Sequence, residues 1–582
     1  MFRLLLPVVL ISALATVPAA PASVASGSID VTLRPTEQLA PGASSLVTFG
    51  VPFPRDTMTA ADLSTVRILS SGKEIPAYVD QLTPWWDTTS VRVARVQLTR
   101  AFTGEQKITV AWGGAARAHN VPTLADVRSG WHKVAGAGTT PTGGPTYGDA
   151  HNVHEPNVYA LLPKTWLAAS GLKNGLAPMD DSVAEQRIPP ASVSASYPGH
   201  LEAEHAMVNF FYTVTNNDDR LTGAQTPLTN THPFLTDPEP WLYDRAMTMH
   251  IGYLRTGYYA FLREAVRNAD YYRQKLYKPS DCDNGRCVGS FALKNPNATA
   301  GWHDQKYSYN ESLATTLWLT GDTETLSHIE DVVKVYKDVA NTPAGSFYTE
   351  RHIALKLMAN TIAFEVTGKP EYRTAIDDIV RALRAAQLAP SDGGTVDGGI
   401  WHPIGIHEGT QETTPITSPW MSALLVEVLA RTWSVTGSAA AADLVLGLAD
   451  HTCGVGSYMN THALAEQSGG ASLRFPHYFA TRDGAGHGEY FNPDEDFEHS
   501  YDAATSVMWG AYFAKRAGNT AKMTSLKACG EQLYTTFSHV VTHWTRPAAP
   551  ANNSDAYRVN PAQKYNWWFK HSSAFPWLAS TV

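Results

Sequence analysis

A helical segment that ends at a glycine recurs five times in this chain of 582 residues. The glycine-bearing dipeptides are Thr256-Gly257, Thr320-Gly321, Thr367-Gly368, Thr436-Gly437 and Ala517-Gly518. The apolar segments before them are Trp241–Leu254, Tyr309–Leu319, Arg351–Val366, Pro419–Val435 and Ala503–Lys515. Glycine often follows the last helical residue because it adopts positive φ without a Cβ clash. A second run with helical spacing follows each glycine, so the pattern predicts serial helical hairpins.

The two helices of each hairpin differ in pattern. The first is apolar on nearly all sides, as in residues 420–426, and such helices lie between packed layers. The second is amphipathic, as in residues 371–387. Apolar inner helices surrounded by amphipathic outer ones form an (α/α) toroid. An open superhelical solenoid is the alternative, but the irregular spacing and the long inserts before the inner helices favour the closed form.

Length and charge bound the remaining possibilities. A chain of 582 residues is too long for one ordinary core, so two or three domains are expected. A hydrophobic content of 43% and a charged content of 17% are typical of a globular protein. The net charge of −9 and the pI of about 6.2 argue against a partner that is a nucleic acid or an anionic membrane.

The N-terminus has the pattern of a secretory signal. Met1-Phe2-Arg3 precedes an apolar stretch at 4–17, and small residues follow. Cleavage after Ala22 or Ala25 suits the small-residue rule, so we expect residues 1–25 to be a signal peptide and the protein to be extracellular or periplasmic. The apolar stretch is too short for a permanent membrane helix, and no later run reaches that length.

Secretion makes disulfides plausible for the four cysteines. Cys282 and Cys287 bracket a turn-like loop. Cys453 and Cys529 lie in the second segments of the last two hairpins, which a disulfide could join. A zinc site is the weaker alternative because the spacing matches no usual ligand pattern.

Strand and turn patterning predicts four regions in all. Residues 28–115 alternate as β-strands do, and residues 116–199 are rich in Gly, Pro, Thr and Ala, which predicts an extended linker or loop. Residues 200–582 hold the helical hairpins. We therefore predict a multidomain α+β protein: a signal peptide, an N-terminal β-barrel or β-sandwich domain, a linker, and an (α/α) toroid that carries the site.

Three motifs in the β region point to a known family. Residues 47–54 are Val-Thr-Phe-Gly-Val-Pro-Phe-Pro, residues 72–76 are Gly-Lys-Glu-Ile-Pro, and residues 85–92 are Trp-Trp-Asp-Thr-Thr-Ser-Val-Arg. With Val96-Gln97-Leu98, they resemble the N-terminal barrel domain of exo-rhamnogalacturonan lyase-like proteins. The resemblance covers less than a sixth of the chain. It implies a barrel at the N-terminus and favours a polysaccharide lyase.

Reactive side chains cluster where the first helix of each hairpin begins. In a toroid these helix starts meet at one end, where the helix dipoles favour negative charge. The residues predicted to act in catalysis are Asp304, Tyr309, Glu350, Arg351, His407, Glu408, His477 and Tyr478. Those predicted to bind substrate are Trp241, Tyr243, Arg245, Trp302, His303, Trp401, His499 and Tyr501. Aromatic rings suit sugar faces and polar groups suit hydroxyls, so a polysaccharide or oligosaccharide is the expected partner.

Two mechanisms fit these residue types. A lyase needs a base, a proton donor and a group that neutralises a uronate carboxylate, which Tyr, His and Arg can supply. A glycoside hydrolase needs two carboxyl groups, about 5 Å apart for retention or about 6.5–9.5 Å for inversion. The carboxylates available for that role are Asp304, Glu350, Glu408 and Glu412. The resemblance of the N-terminal domain favours the lyase, the general use of toroids favours the hydrolase, and the lyase is preferred narrowly. A non-catalytic sugar-binding protein is the third hypothesis.

No metal or cofactor is expected, because no spacing of ligand residues stands out. Asp494-Glu495-Asp496 could hold Ca²⁺, but a solvated acidic turn is the favoured interpretation of these three residues.

Overall fold

The computed structural model describes residues 26–134, 153–179, 241–282, 287–291, 305–343, 347–460, 472–487, 499–544 and 567–582. The predicted signal peptide lies outside the described residues. The strands are β1 (Gly27–Pro35), β2 (Ser44–Pro52), β3 (Arg67–Ser70), β4 (Lys73–Glu74), β5 (Tyr78–Pro84), β6 (Val91–Ala101), β7 (Gln106–Trp112), β8 (Trp131–Lys133), β9 (His154–Pro156), β10 (Val158–Leu161), β11 (His402–Pro403), β12 (Pro415–Ile416), β13 (Ser457–Asn460) and β14 (Leu473–Pro476). The α-helices are α1 (Lys164–Ala169), α2 (Arg245–Thr256), α3 (Tyr259–Gln274), α4 (Glu311–Thr320), α5 (Leu326–Val335), α6 (Glu350–Thr367), α7 (Pro370–Leu388), α8 (Ile404–Glu408), α9 (Pro419–Thr436), α10 (Ala439–Cys453), α11 (Ser500–Arg516), α12 (Thr520–Trp544) and α13 (Phe575–Thr581). The mixed α+β class predicted from the sequence is confirmed.

Two antiparallel sheets occupy the first part of the chain. One has the strand order β10-β1-β7-β3-β4 and the other β2-β6-β5. Alternate residues of both sheets, such as Val31, Leu33, Val47 and Phe49, are buried in one hydrophobic core. This alternation places one face of each sheet inward.

The described part of the predicted linker contributes regular structure. Leu33 of β1 pairs with Ala160 of β10, so residues 158–161 extend the first sheet. The strands β8 and β9 pair with each other, and helix α1 follows β10.

The structure confirms the five helical hairpins. They are α2–α3, α4–α5, α6–α7, α9–α10 and α11–α12. The turns contain Gly257, Gly321, Gly368, Gly437 and Gly518, with φ angles of 70°, 73°, 66°, 68° and 71°. All five angles lie in the left-handed region, which explains the glycine at each turn.

The first and second helices of the later hairpins differ in burial as the patterns predict, whereas the second helix of the first hairpin, α3, is buried from Tyr259 to Tyr272. In α9 every residue from Pro419 to Thr432 is buried, including the polar Glu427 and Arg431. In α7 the buried residues are Ile376, Ile379, Val380, Leu383 and Gln387, which lie on one face. The first helices also contact one another in series: α2 contacts α4, α4 contacts α6, α6 contacts α9, and α9 contacts α11. The helical turn Trp567–His571 contacts α2, α9 and α11.

The β sheets pack against the C-terminal ends of the first helices. Arg92 of β6 forms a buried ion pair with Glu365 of α6, with 2.6 Å between Nη1 and Oε1. Gly50 of β2 approaches α4 so closely that a Cβ there would lie 1.8 Å from the carbonyl oxygen of Trp318. The opposite, N-terminal ends of these helices are therefore the ends left for a site.

Both disulfides that the sequence makes plausible are present. Cys282 is bonded to Cys287, and Cys453 of α10 is bonded to Cys529 of α12. The second bond joins the second helices of the last two hairpins. Within the described part of the chain, no helix combines the length and hydrophobicity needed to cross a membrane.

Candidate functional site

A cavity lies at the N-terminal ends of α2, α4 and α6. Its polar lining consists of Tyr243, Asp244, Ser308, Tyr309, Asn310, Glu311, Arg351, Glu427, Lys570 and His571, and we call it the Tyr243 cavity. About 20 Å³ of it admits the centre of a water molecule, which is room for one or two waters. The predicted residues Tyr243, Tyr309 and Arg351 therefore share one place.

The backbone before α2 is strained where it enters this cavity. Tyr243 and Asp244 have φ angles of 68° and 63°, in the left-handed region that non-glycine residues rarely adopt. The conformation is held by hydrogen bonds: the Tyr243 amide donates to the Tyr309 hydroxyl at 2.6 Å, and Asp244 accepts from the amides of Met247 and Ser312. Backbone strain of this kind persists only where surrounding contacts hold the conformation, and it occurs often at functional sites.

The side chain of Tyr243 contacts the guanidinium of Arg351 and the imidazole of His571. Arg351 Nη1 donates to the Tyr243 hydroxyl oxygen at 3.3 Å. The His571 ring meets the Tyr243 ring edge-on, with 5.4 Å between centroids. Arg351 is partly exposed, whereas Tyr243 is 1% exposed, so solvent reaches this pair from the arginine side.

Below the phenol lies a buried network of charges. Glu311 accepts contacts from Lys173 and Lys570, both at 3.2 Å, and from Arg431 at 2.6 Å. Glu427 pairs with Lys173 and His571. Burial alone would raise the pKa of both carboxyl groups, but the adjacent cations hold it below the ordinary value. Both glutamates are therefore charged and occupied in ion pairs.

Asp244 behaves differently. Burial raises its pKa from 3.8 to about 6, against the lowering effect of Lys570 and with a further raising effect from Glu311. Asp244 is therefore a carboxyl group at this cavity that keeps its proton in mildly acidic solution.

A second cluster consists of Glu350, His402 and His407. It adjoins the Tyr243 cavity, because Glu350 directly precedes Arg351 in α6. His402 Nε2 is 3.1 Å from His407 Nδ1, and each of these nitrogens is 3.9 Å from Glu350 Oε2. Glu350 and His402 are fully buried and His407 is 4% exposed. Burial, with further lowering by His402 and Arg351, brings the pKa of His407 to about 2, so its imidazole is neutral at physiological pH.

Aromatic rings enclose this cluster. Tyr348 meets His402 edge-on at 5.2 Å, and Phe479 meets His407 edge-on at 4.7 Å. Glu408 lies on the outer side, where its Oε1 is 4.0 Å from His407 Nε2 and its side chain is 34% exposed. The predicted residues Glu350, His407 and Glu408 therefore group together, next to the Tyr243 cavity.

Other predicted residues near the helix starts are held in packing contacts. The hydroxyl of Tyr309 donates to the carbonyl of Lys306, and burial raises its pKa well above the ordinary value. Trp241 is 1% exposed and stacks on Tyr271 at 5.4 Å. Arg245 is 1% exposed and donates to Asn268 at 3.2 Å.

The predicted residues of the last hairpins lie in separate packing contacts and do not line the Tyr243 cavity. His499 stacks on Trp420 with 4.3 Å between centroids, and Tyr478 also packs on Trp420. Tyr501 stacks on Phe537 at 4.1 Å. His477 contacts the Gly484 carbonyl at 3.1 Å, and burial lowers its pKa to about 4.

Trp401 is buried in a third setting. Its indole nitrogen donates to Asp397 at 2.9 Å, and the Arg482 guanidinium lies 3.8 Å above its ring. Trp302, His303 and Asp304, and the acidic turn 494–496, lie outside the described residues.

The structure adds residues that the predicted set lacks. Asp244, Glu311, Glu427, Lys570 and His571 line the Tyr243 cavity, and His402 completes the second cluster. One signal could have found Glu427: it is a charged residue, four before Arg431, inside an otherwise apolar helix. Lys173 carries no such signal, because it comes from a loop.

No family model matches the sequence, and no curated protein matches it significantly.

Proposed function

We propose that this chain is a secreted polysaccharide lyase that cleaves uronate-containing chains by β-elimination. The observation that carries the proposal is the contact between Arg351 Nη1 and the Tyr243 phenol at the end of the inner helices. A phenol and a guanidinium are two of the groups that such an elimination needs. The resemblance of residues 47–98 to exo-rhamnogalacturonan lyase-like proteins supports the same reaction.

The proposal includes a closed (α/α) toroid. It is supported by the serial contacts of α2, α4, α6, α9 and α11. The turn Trp567–His571 contacts both the first and the last of these helices, which is the position of a closing element. In a ring of this kind, Tyr243 and Arg351 lie at the end opposite the β sheets.

Each residue has a distinct part in the proposed reaction. The Arg351 guanidinium pairs with the uronate carboxylate, where negative charge develops when the C5 proton leaves. Tyr243, as its phenolate, accepts that proton. The C4–C5 double bond forms as the C4–O4 bond breaks, and the same proton passes to the departing O4, so the enzyme returns to its starting state. Because the cavity admits one or two waters, the polymer lies across its arginine side.

One observation favours a hydrolase as the second candidate. Asp244 keeps its proton up to about pH 6, as a general acid must. Its neighbours Glu311 and Glu427 are committed to ion pairs with Lys173 and other cations, which leaves them poorly suited as the second carboxylate. The lyase is therefore the better supported reaction.

A polysaccharide panel tests the proposal. The purified protein is incubated with uronate-containing and neutral polymers, and products are followed by ultraviolet absorbance and by reducing ends. The expected result is new absorbance, from the unsaturated uronate, on an acidic polymer. Reducing ends without that absorbance would show a hydrolase, and binding without any product would show a sugar-binding protein.

A matched pair of variants locates the reaction. Tyr243→Phe should abolish the new absorbance, whereas Tyr372→Phe should leave it unchanged. Tyr372 is a suitable control because its hydroxyl donates to Glu330 on the outer helices, at 3.0 Å and away from the cavity. Full activity of Tyr243→Phe would overturn the assignment of the phenol.

A further inference from the structure

We propose that Glu350, His402 and His407 bind a divalent transition-metal ion of the Zn²⁺ type. The site is a property of these three side chains and holds whether or not the protein is a lyase. It is also a departure from the sequence analysis, in which no metal is expected. The residues come from two separated segments, the start of α6 and the insert that contains β11 and α8.

The three donor atoms have the spacing that such an ion needs. His402 Nε2, His407 Nδ1 and Glu350 Oε2 form a triangle with sides of 3.1, 3.9 and 3.9 Å. The circumscribed circle of that triangle has a radius of about 2.1 Å, so one point lies about 2.1 Å from all three atoms. Zinc–nitrogen and zinc–oxygen bonds are about 2.0–2.2 Å long. The two imidazole rings lie within 11° of one plane and their nitrogens face each other, so an ion at this point requires the rings to turn toward it.

The surrounding hydrogen bonds fix the tautomer of His402 and the position of the Glu350 carboxylate. His402 Nδ1 is 3.0 Å from the Ile400 carbonyl, so Nδ1 carries the hydrogen and Nε2 presents its lone pair. Glu350 Oε1 accepts the Ser418 amide at 3.0 Å, which fixes the carboxylate with Oε2 facing the histidines. These two contacts are the outer-shell support that metal ligands usually have.

A purely structural explanation leaves the carboxylate unsatisfied. A hydrogen bond between the two imidazoles accounts for His402 Nε2 and His407 Nδ1. Glu350 Oε2 is buried and has no hydrogen-bond partner in the part of the chain that the structure describes. Burying a carboxylate oxygen without a partner is costly, and a bound cation removes that cost.

The donor set identifies the class of ion. Two imidazoles and one carboxylate suit Zn²⁺ and related first-row ions, whereas Ca²⁺ and Mg²⁺ prefer sets made of oxygen. Three protein ligands leave a coordination position for water or another small ligand. The rings of Tyr348 and Phe479 pack against the two imidazoles and keep them in place.

Metal binding would fix the wall of the Tyr243 cavity. Glu350 precedes Arg351, so an ion that links Glu350 to His402 and His407 also holds the first turn of α6. The folded state is then stabilised by an amount that rises with the ratio of the free ion concentration to the dissociation constant of the ion.

The test is a metal-binding measurement on tag-free, full-length protein stripped with a chelator. Zn²⁺ is titrated by calorimetry, and Co²⁺ is added separately to record its visible spectrum. We expect one Zn²⁺ per chain and a Co²⁺ spectrum of low-symmetry, four- or five-coordinate type. His407→Gln should weaken Zn²⁺ binding by at least about 100-fold, beyond the 10–100-fold effect of outer-shell partners.

His487→Gln is the matched control and should bind Zn²⁺ as the wild type does. His487 lies in a neighbouring insert and pairs with Glu412 at 2.7 Å, outside the cluster. Equal Zn²⁺ affinity of the two variants would overturn the site. If His407→Gln fails to fold, the wild type decides: the absence of stoichiometric Zn²⁺ binding, or a purely octahedral Co²⁺ spectrum, would overturn the proposal.

Discussion

Arg351 donates a hydrogen bond from Nη1 to the phenol oxygen of Tyr243 across 3.3 Å. The two residues belong to different hairpins and are 108 positions apart in the sequence. Their meeting joins the first turn of α6 to the strained residue before α2. This contact defines the reacting end of the proposed site, and it is the one that the first prediction tests.

Arg351→Lys should lower kcat by about 10²–10³-fold, because a lysine ammonium cannot make the planar, two-pronged contact with a carboxylate that arginine makes. The melting temperature should change little, since Arg351 is partly exposed. Turnover is measured by the absorbance of unsaturated product. Arg381→Lys on the outer helix α7, where the side chain is 73% exposed, should retain full activity. An unchanged kcat in Arg351→Lys would remove the guanidinium from the mechanism.

Asp244→Asn should change how stability depends on pH. The pKa of Asp244 is about 6 in the folded protein and 3.8 as its ordinary value, so the folded state binds its proton more tightly. The stabilisation from this group is fully present below about pH 3.8 and is lost as pH rises through about 6. The full difference corresponds to about 3 kcal/mol.

The measurement is urea unfolding of wild type and Asp244→Asn between pH 4 and pH 7. The free energy of unfolding of the wild type, relative to the variant, should fall as pH rises across this window. A constant difference between the two proteins would show that Asp244 titrates normally.

The repeated hairpins could be predicted from sequence because their cause is local. A glycine at positive φ marks each turn, and the burial of α9 and α7 follows the apolar pattern of each helix. The pairing of β1 with β10 could not be predicted, since it joins residues more than 120 positions apart and depends on the path of the chain between them.

The site was predictable only as a location. The rule that reactive residues gather at helix starts selected Tyr243, Arg351 and Glu350, which do lie close together. The same rule selected His499, which instead stacks on Trp420, because an aromatic ring suits packing as well as it suits a sugar. The role of Lys173 could not be predicted from the sequence, because it depends on contacts with two glutamates from distant helices.

Lys173→Met should destabilise the protein strongly. Lys173 is 5% exposed and contacts both Glu311 and Glu427, and its removal leaves buried carboxylates with less compensation. The expected loss is about 3 kcal/mol, since Lys570 and Arg431 still neutralise part of the charge. Chemical denaturation measures it.

The control for that prediction is Lys522→Met. Lys522 pairs with Asp450 at the surface, where both side chains are more than a third exposed. Its loss should cost less than about 1 kcal/mol. Equal effects of the two substitutions would indicate that the buried network contributes no more than a surface ion pair.

Two glycine turns should respond differently to the same substitution. Gly437 has φ of 68° and open space where a Cβ would lie, so Gly437→Ala carries only the left-handed strain of about 1–2 kcal/mol. Gly368 has φ of 66°, and a Cβ there would lie 2.5 Å from the Trp86 ring. Gly368→Ala should therefore cost a further 1–3 kcal/mol or so, because Trp86 or the turn must move. Urea unfolding of both variants measures the difference.

The Trp86 indole also donates to the Glu365 carbonyl, so its displacement would loosen the contact between the β sheets and α6. Equal losses at the two glycines would mean that Trp86 is free to move aside, and that this contact contributes little to holding the sheets against the helices.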